Sequence, residues 1–243
     1  MQFFNRKAIL LMALLLSLAG QAQVKTDGLG TWNVISGKIN FNSKWNAFGE
    51  AQLRSQQFFN GFSYYEYKGG IGYNIQKNLT VLVGVGNYHT YTPFGNFTDP
   101  ELANEVRTWE QLTITNNISR LKLEHRYRIE QRFIGSSFHS RFRYRMNGIL
   151  PINHKVLQPK TWYAGASAEV FILDKAPHFE QSRLFLGLGY QLNEKLTLQT
   201  GFIHRFDQTS SYTTFSKNFI QTTLFFDFGQ SKSGRERHPS TED

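Results

Sequence analysis

Two stretches of this chain alternate strictly between apolar and charged residues, and that alternation restricts the fold more than any other feature. From Leu121 the odd positions read Leu121, Leu123, His125, Tyr127 and Ile129, while the even ones read Lys122, Glu124, Arg126, Arg128, Glu130 and Arg132. A few residues on, Phe142, Tyr144 and Met146 alternate with Arg141, Arg143 and Arg145. Successive side chains of a strand point to opposite faces, so each stretch folded as a strand has one apolar and one densely charged face. Charge at that density requires water, counter-charge or both. A wall with lipid on one side and a charged lumen on the other satisfies both faces, as in a transmembrane barrel.

The N-terminus carries the features of an export signal. Arg6 and Lys7 precede an apolar stretch from Ala8 to Ala19, and Gly20 and Ala22 put small residues where a signal peptidase reads, which predicts cleavage after Ala22. That run is too short for a spanning helix, which needs roughly 20 residues. The absence of cysteine excludes a lipid-attachment lipobox, a disulfide framework and a thiolate metal site. Removing Arg6 and Lys7 with the signal lowers the formal charge from +9 to +7. A basic surface suits nucleic acid, but an exported chain rarely meets it, and no basic run or basic helical face appears. The expected surroundings are outer-membrane lipid and the phosphates of lipopolysaccharide, with the barrel-assembly machinery as partner during biogenesis. No feature of the sequence bears on oligomeric state.

Alternation and turn residues give eleven strand candidates. They are Trp32–Phe41, Lys44–Ser55, Tyr64–Asn74, Asn78–Tyr91, Arg107–Asn117, Arg120–Arg132, His139–Leu150, Thr161–Ile172, Gln181–Leu192, Lys195–Asp207 and Lys217–Phe228. Most exceed the usual globular strand of about 5–6 residues, which argues against a soluble sandwich. Tight turns at Asn42-Ser43, Ile75-Gln76-Lys77, Ile118-Ser119 and Asn193-Glu194 alternate with longer polar loops at 56–63, 92–106, 133–138, 173–180 and 208–216. Such alternation is expected when the two ends of a barrel face different compartments; the connection 151–160 is the exception. An odd count conflicts with the even numbers of bacterial single-chain barrels, so the sequence predicts either a further strand contribution from 24–30 or a miscounted strand. The fold expectation is all-β: a single antiparallel up-and-down transmembrane barrel of about 10–12 strands. It occupies 23–228, after a cleaved signal at 1–22 and before a polar, unstructured tail at 229–243.

The outward face is expected to carry Val81, Val83, Val85, Leu184, Leu186, Leu188, Leu198, Phe202, Ile220 and Leu224. Trp32, Trp45, Trp109, Trp162, Tyr190 and Phe206 fall near strand ends, where aromatic rings favour the membrane interface. Inward, one constellation stands out. Glu124, Arg126, Arg128, Glu130 and Arg132 from one strand face Arg141, Arg143 and Arg145 from the next, and Glu50, Arg54, Glu66, Lys68, Glu169, Arg183 and Arg205 share their side. Guanidinium forks pair with carboxylates, and a barrel of this size is far narrower than a 16–18-strand porin. A bridged structural network is therefore expected, with an anion-selective path or pocket as the alternative.

No catalytic residue, cofactor or metal site is assigned. No His-x-Ser occurs within the strand candidates; His139 and Ser140 are adjacent, so in a regular strand they face opposite sides. His89, Asp99 and Glu101 lie in or near one loop and His178 and Glu180 in another, without a spacing that fixes metal geometry. Gly69-Gly70-Ile71-Gly72 lies in a hairpin with no helix following, which excludes a phosphate-binding loop.

The ladder 121–133, followed by Phe142-Arg-Tyr-Arg145, Ala168-Glu-Val-Phe171, Gln181–Tyr190 and the early Gly30-Thr-Trp32 with Glu50 and Arg54, resembles the domain of unknown function 2490 family of predicted outer-membrane β-barrel proteins. The resemblance implies the barrel and an outer-membrane location, and no activity or substrate. The reading is thus a non-enzymatic outer-membrane barrel with a charged lumen. Its rivals are a lipid-modifying barrel enzyme, which requires a His/Ser or carboxylate pair converging near the rim, and a soluble periplasmic barrel with the apolar ladder turned inward around an apolar ligand.

Overall fold

The computed structural model describes residues 28–98, 100–229 and 239–241. The expected signal at 1–22, residues 24–27 and most of the tail lie outside them. Eleven strands form one closed barrel: β1 (Gly30–Asn40), β2 (Trp45–Gln57), β3 (Asn60–Gln76), β4 (Leu79–Tyr91), β5 (Glu101–Ile118), β6 (Leu121–Ile134), β7 (Ser137–Pro151), β8 (Thr161–Leu173), β9 (Phe179–Gln191), β10 (Leu196–Gln208) and β11 (Thr214–Gly229). Each strand candidate corresponds to one of these.

Consecutive strands pair antiparallel, as expected of an up-and-down barrel. The expectation of an even count fails among the described residues. Strand direction alternates, so in an eleven-strand barrel the first and last strands run the same way and closure requires a parallel seam. β1 pairs β11 in parallel from Gly30 opposite Phe219 to Asn40 opposite Gly229. We call the end where β1 begins proximal and the end where β11 finishes distal.

The alternation of short and long connections also fails. The proximal links include Phe58-Phe59 and Gly135-Ser136, because β3, β5 and β7 start earlier than the sequence suggested. Inward residues among those added, such as Ser63 and Glu105, are polar and so resemble loop in sequence; Glu105 of β5 accepts from Arg107 at 2.7 Å.

The wall is inside-out relative to a water-soluble core. Leu186, Val83 and Ile35 are 68%, 59% and 56% exposed on the outer face, whereas Arg126, Arg143 and Glu130 are 1%, 1% and 0% exposed inside. Outer aromatic pairs gather at both ends. Trp45 packs on Tyr73 and Trp162 on Tyr190 at the distal end, and Phe133 on Phe138 and Phe179 on Phe206 at the proximal end. Trp32 and Trp109 correct the interface expectation. They share parity with the inward residues of β1 and β5, and each is 1% exposed. Trp109 fits because it lies against Gly84 of β4, where a Cβ would overlap the indole; a Cβ at Gly189 would likewise overlap the buried Tyr163 ring.

Candidate functional site

The lumen has two unlike halves. Toward the proximal end it is packed with ion pairs, starting at β2 and β3. Register sets Glu50 opposite Lys68 and Gln52 opposite Glu66. Lys68 Nζ lies 2.9 Å from Glu50 Oε1 and 2.5 Å from Glu66 Oε1, and Arg54 Nη2 lies 3.2 Å from Glu66 Oε2. The Arg54 guanidinium is sandwiched by Trp32 and Tyr64, at 3.5 and 4.1 Å from the ring centroids.

Across the lumen, β6 and β7 set Arg128 opposite Arg143 and Arg126 opposite Arg145. Like charges directly opposed destabilise a sheet unless counter-charges intervene. Two glutamates do so here. Glu130 Oε2 accepts from Arg141 Nε at 2.8 Å and Nη2 at 2.5 Å, while its Oε1 accepts from Arg143 Nη1 at 2.6 Å and Arg128 Nη1 at 3.4 Å. Glu169 Oε1, from β8, accepts from Arg126 Nη2 at 2.6 Å and Arg143 Nη2 at 2.9 Å. Arg143 thus links both carboxylates.

The proximal rim adds partners that sequence reasoning left in loops. Arg132 donates to Glu105 and, at 2.7 Å, to Glu180; Arg141 reaches Glu180 at 2.8 Å. Arg205 donates to Asp207 at 2.7 Å, and Arg183 to Gln181 at 2.6 Å. The structure therefore brings most of the candidate residues into two linked groups: Glu50, Arg54, Glu66 and Lys68 on one wall, and Arg126, Arg128, Glu130, Arg132, Arg141, Arg143 and Glu169 on the other. Arg205 pairs apart from both. Glu124 and Arg145 lie lower, 3.7 Å from each other. Glu105, Arg107 and Glu180 were missed. Glu105 and Arg107 share parity with Gln111 on β5, which was the available signal, whereas Glu180 is out of parity with Arg183 and falls at the register shift between β8 and β9, which the sequence does not show.

Among the described residues, ten lysines and arginines are buried against six buried glutamates. Neutral acceptors and aromatic faces absorb the excess. Gln111 Oε1 accepts from Arg128 Nε at 2.9 Å and Nη2 at 2.6 Å. Arg107 lies 3.7 Å over the Tyr88 ring, and Phe171 faces Arg143 and Arg183 at 4.4 and 4.5 Å. Cation–π contact of this kind is favourable, most of all where water is excluded.

The distal half is roomier. It holds a cavity of about 490 Å³ lined by Lys38, Lys77, Lys122 and Lys195 with Glu124 and Asp227, and by Asn46, Thr80, Thr113 and Thr197 among the polar residues. Pro239 and Ser240 also line it. These residues belong to the segment expected to be unstructured, and they lie within the barrel.

On the outer face at the proximal end, β4 and β5 bring His89 and Glu101 together. His89 Nδ1 lies 2.5 Å from Glu101 Oε1, and the imidazole stacks on Tyr65 at 4.5 Å. Sequence reasoning grouped these two with Asp99, which lies outside the described residues. Among the described residues, no group of three metal-ligating side chains converges.

Fold and lining together define a closed β-barrel with an apolar exterior and an ion-paired interior. The chain belongs to the family described as "Protein of unknown function (DUF2490)", whose model matches residues 29–216. No curated protein matches it. Among solved structures, LpxR from Salmonella typhimurium is similar over 79% of this chain and 87% of its own, at 9% identity and a TM-score of 0.48.

Proposed function

We propose that the protein is exported by a signal at 1–22 and resides in the outer membrane as an integral barrel. Its Arg/Glu interior acts as a structural plug and does not conduct. The observation that carries this reading is the inversion of the wall. Water-soluble monomers rarely expose contiguous apolar patches beyond a few hundred Å², whereas here the outward faces expose Val81, Val83 and Val85 on β4, Tyr127, Ile129 and Phe133 on β6, and Leu184, Leu186 and Leu188 on β9. Aromatic pairs at both ends fit two membrane interfaces. The soluble rival needs the same apolar ladder inside, where arginines and glutamates lie instead. Lipid and lipopolysaccharide are then the surroundings, and the assembly machinery the partner in biogenesis.

The plug reading over the anion path is supported by the pairing of Glu130 and Glu169 with the arginines that line the β6–β8 wall of the bore. The purified barrel should migrate differently before and after boiling, fractionate with outer membranes and give negligible current in planar bilayers. Steady anion-selective conductance would refute the plug, and recovery from the periplasm without detergent would refute the location.

A second reading, chemistry on lipid at the rim, rests on the His89–Glu101 pair, since a carboxylate orients an imidazole for general-base work. Loss of lipid release on His89→Gln, with heat-modifiability unchanged, would favour it. Absence of lipid release by the unaltered protein would remove it.

A further inference from the structure

Residues 239–241 make a dense set of polar contacts for so short a segment. Asn147 Nδ2 donates to the Pro239 carbonyl at 3.5 Å, and Ser240 Oγ donates to Glu124 Oε1 at 2.8 Å. Arg145 donates to Ser240 Oγ, to the Thr241 carbonyl at 2.6 Å and to Thr241 Oγ1 at 3.3 Å. Arg126 Nη1 reaches the same Thr241 carbonyl at 3.2 Å. The receiving side chains are built into the wall: Arg126, Arg145, Asn147 and Glu124 are 1%, 5%, 7% and 8% exposed.

We infer that the distal half of the lumen is a binding cleft for an extended peptide presenting a hydroxyl beside a carbonyl or carboxylate, and that the chain's own segment at 239–241 occupies it in cis. Recognition is divided by chemistry. Asn147 reads a backbone carbonyl, Glu124 accepts a side-chain hydroxyl, and two guanidiniums converge on one oxygen. Guanidiniums bind carboxylate more strongly than a neutral carbonyl, and the lumen's surplus of buried cations favours an acidic ligand. In sequence the segment continues to Glu242 and Asp243.

Reach and tether both suit occupation in cis. From Gly229 at the distal rim to Pro239 there are ten peptide steps, which span at most roughly 33–36 Å. Arg126 lies five residues inside the distal end of β6, a depth of roughly 17 Å at about 3.3 Å per residue. A tether this short holds its end at an effective concentration of order mM, so modest contacts keep the cleft filled. The seated segment lies between the distal cavity and a smaller space lined by Trp32, Glu169 and Arg183. It thereby closes the bore from the distal side.

The test uses the barrel in detergent and does not depend on its cellular location, so it can fail without touching the outer-membrane reading. A synthetic peptide of residues 238–243, His-Pro-Ser-Thr-Glu-Asp, is titrated calorimetrically into the full chain and into a variant ending at Gly229. The truncated barrel should bind it, the full chain at least about tenfold more weakly, because the tethered copy competes. Arg145→Ala in the truncated barrel should cost about tenfold or more in affinity. Equal affinity for both forms, or none for a folded truncated barrel, overturns the proposal.

A second measurement keeps the tail in place. The chain has no cysteine, so Thr241→Cys supplies a single thiol. A bulky maleimide should label it at least about tenfold more slowly than Glu194→Cys on the exposed distal turn, as expected of a thiol withdrawn from solvent. Equal rates overturn the proposal, and protection that fades on dilution overturns its cis form.

Discussion

Glu130→Gln tests the interior most directly, because the carboxylate is fully buried and three guanidiniums donate to it. Glutamine keeps the volume and one acceptor oxygen but removes the charge and turns an amide donor toward cations. Breaking a buried ion pair costs about 3–5 kcal/mol. The cost does not triple, because each arginine keeps another partner. Arg141 retains Glu180 at 2.8 Å, Arg143 retains Glu169 at 2.9 Å and Arg128 retains Gln111 at 2.6 Å. With a urea slope near the upper end of about 1–3 kcal/mol/M, the unfolding midpoint should fall by about 1–2 M. The assay is the shift between folded and unfolded gel bands along a urea series in detergent. Glu180→Gln should cost less than half as much, since that side chain is 23% exposed at the rim and Arg132 keeps Glu105. Glu194→Gln, on an exposed turn, should change nothing. A Glu130→Gln midpoint equal to that of Glu194→Gln would refute the claim that buried charge pairing holds the barrel together.

Two further outcomes check the wall. Leu186→Arg, 68% exposed on the outer face, should impair assembly in membranes, at a cost of about 2–4 kcal/mol for a mid-bilayer position, whereas Thr113→Arg, facing the distal cavity, should assemble normally. Equal yields of heat-modifiable protein would contradict the face assignment. Ile35→Cys with Leu224→Cys, opposed across the parallel seam, should form a disulfide on mild oxidation, while Ile35→Cys with Leu186→Cys, which lies on β9, should not. Absence of the seam crosslink in a folded barrel would refute eleven-strand closure.

The sequence disclosed the strands wherever one face is apolar and the other charged or glycine-rich, as in β4, β6, β7, β9 and β10. It failed where that contrast lapses. β1 sets Trp32, Val34 and Ser36 inward against Thr31, Asn33 and Ile35, so hydropathy does not separate its faces, and Trp32 was placed at the interface. The same limit hid the proximal extensions of β3 and β5. A residue such as Glu105 or Ser63 is polar because it faces a polar interior, and in sequence that is indistinguishable from facing water. The arginines and glutamates of the interior could be gathered by parity, but their pairing could not. Which carboxylate serves which guanidinium depends on register across strands, as with Arg126 and Glu169, which belong to non-adjacent strands.

The odd strand count links these observations. In an even-stranded up-and-down barrel the first strand begins and the last one ends at the same rim. With eleven, β1 begins at the proximal rim and β11 ends at the distal one. The ion-paired half of the lumen lies on the side of β1's start, and the cavity lies on the side where the chain leaves the wall. Whatever follows Gly229 is therefore delivered to the mouth of the open half, where Arg126 pairs with Glu169 and Arg145 with Glu124 among the described residues, while Arg141 and Arg143 above each meet two glutamates. Glu130 and Glu169 satisfy the upper arginines from within the wall. The lower pair draws on Glu169, a distant Glu124 and the oxygens of Ser240 and Thr241. Parity thus supplies the segment, and the uneven distribution of acids along the bore supplies the place for it.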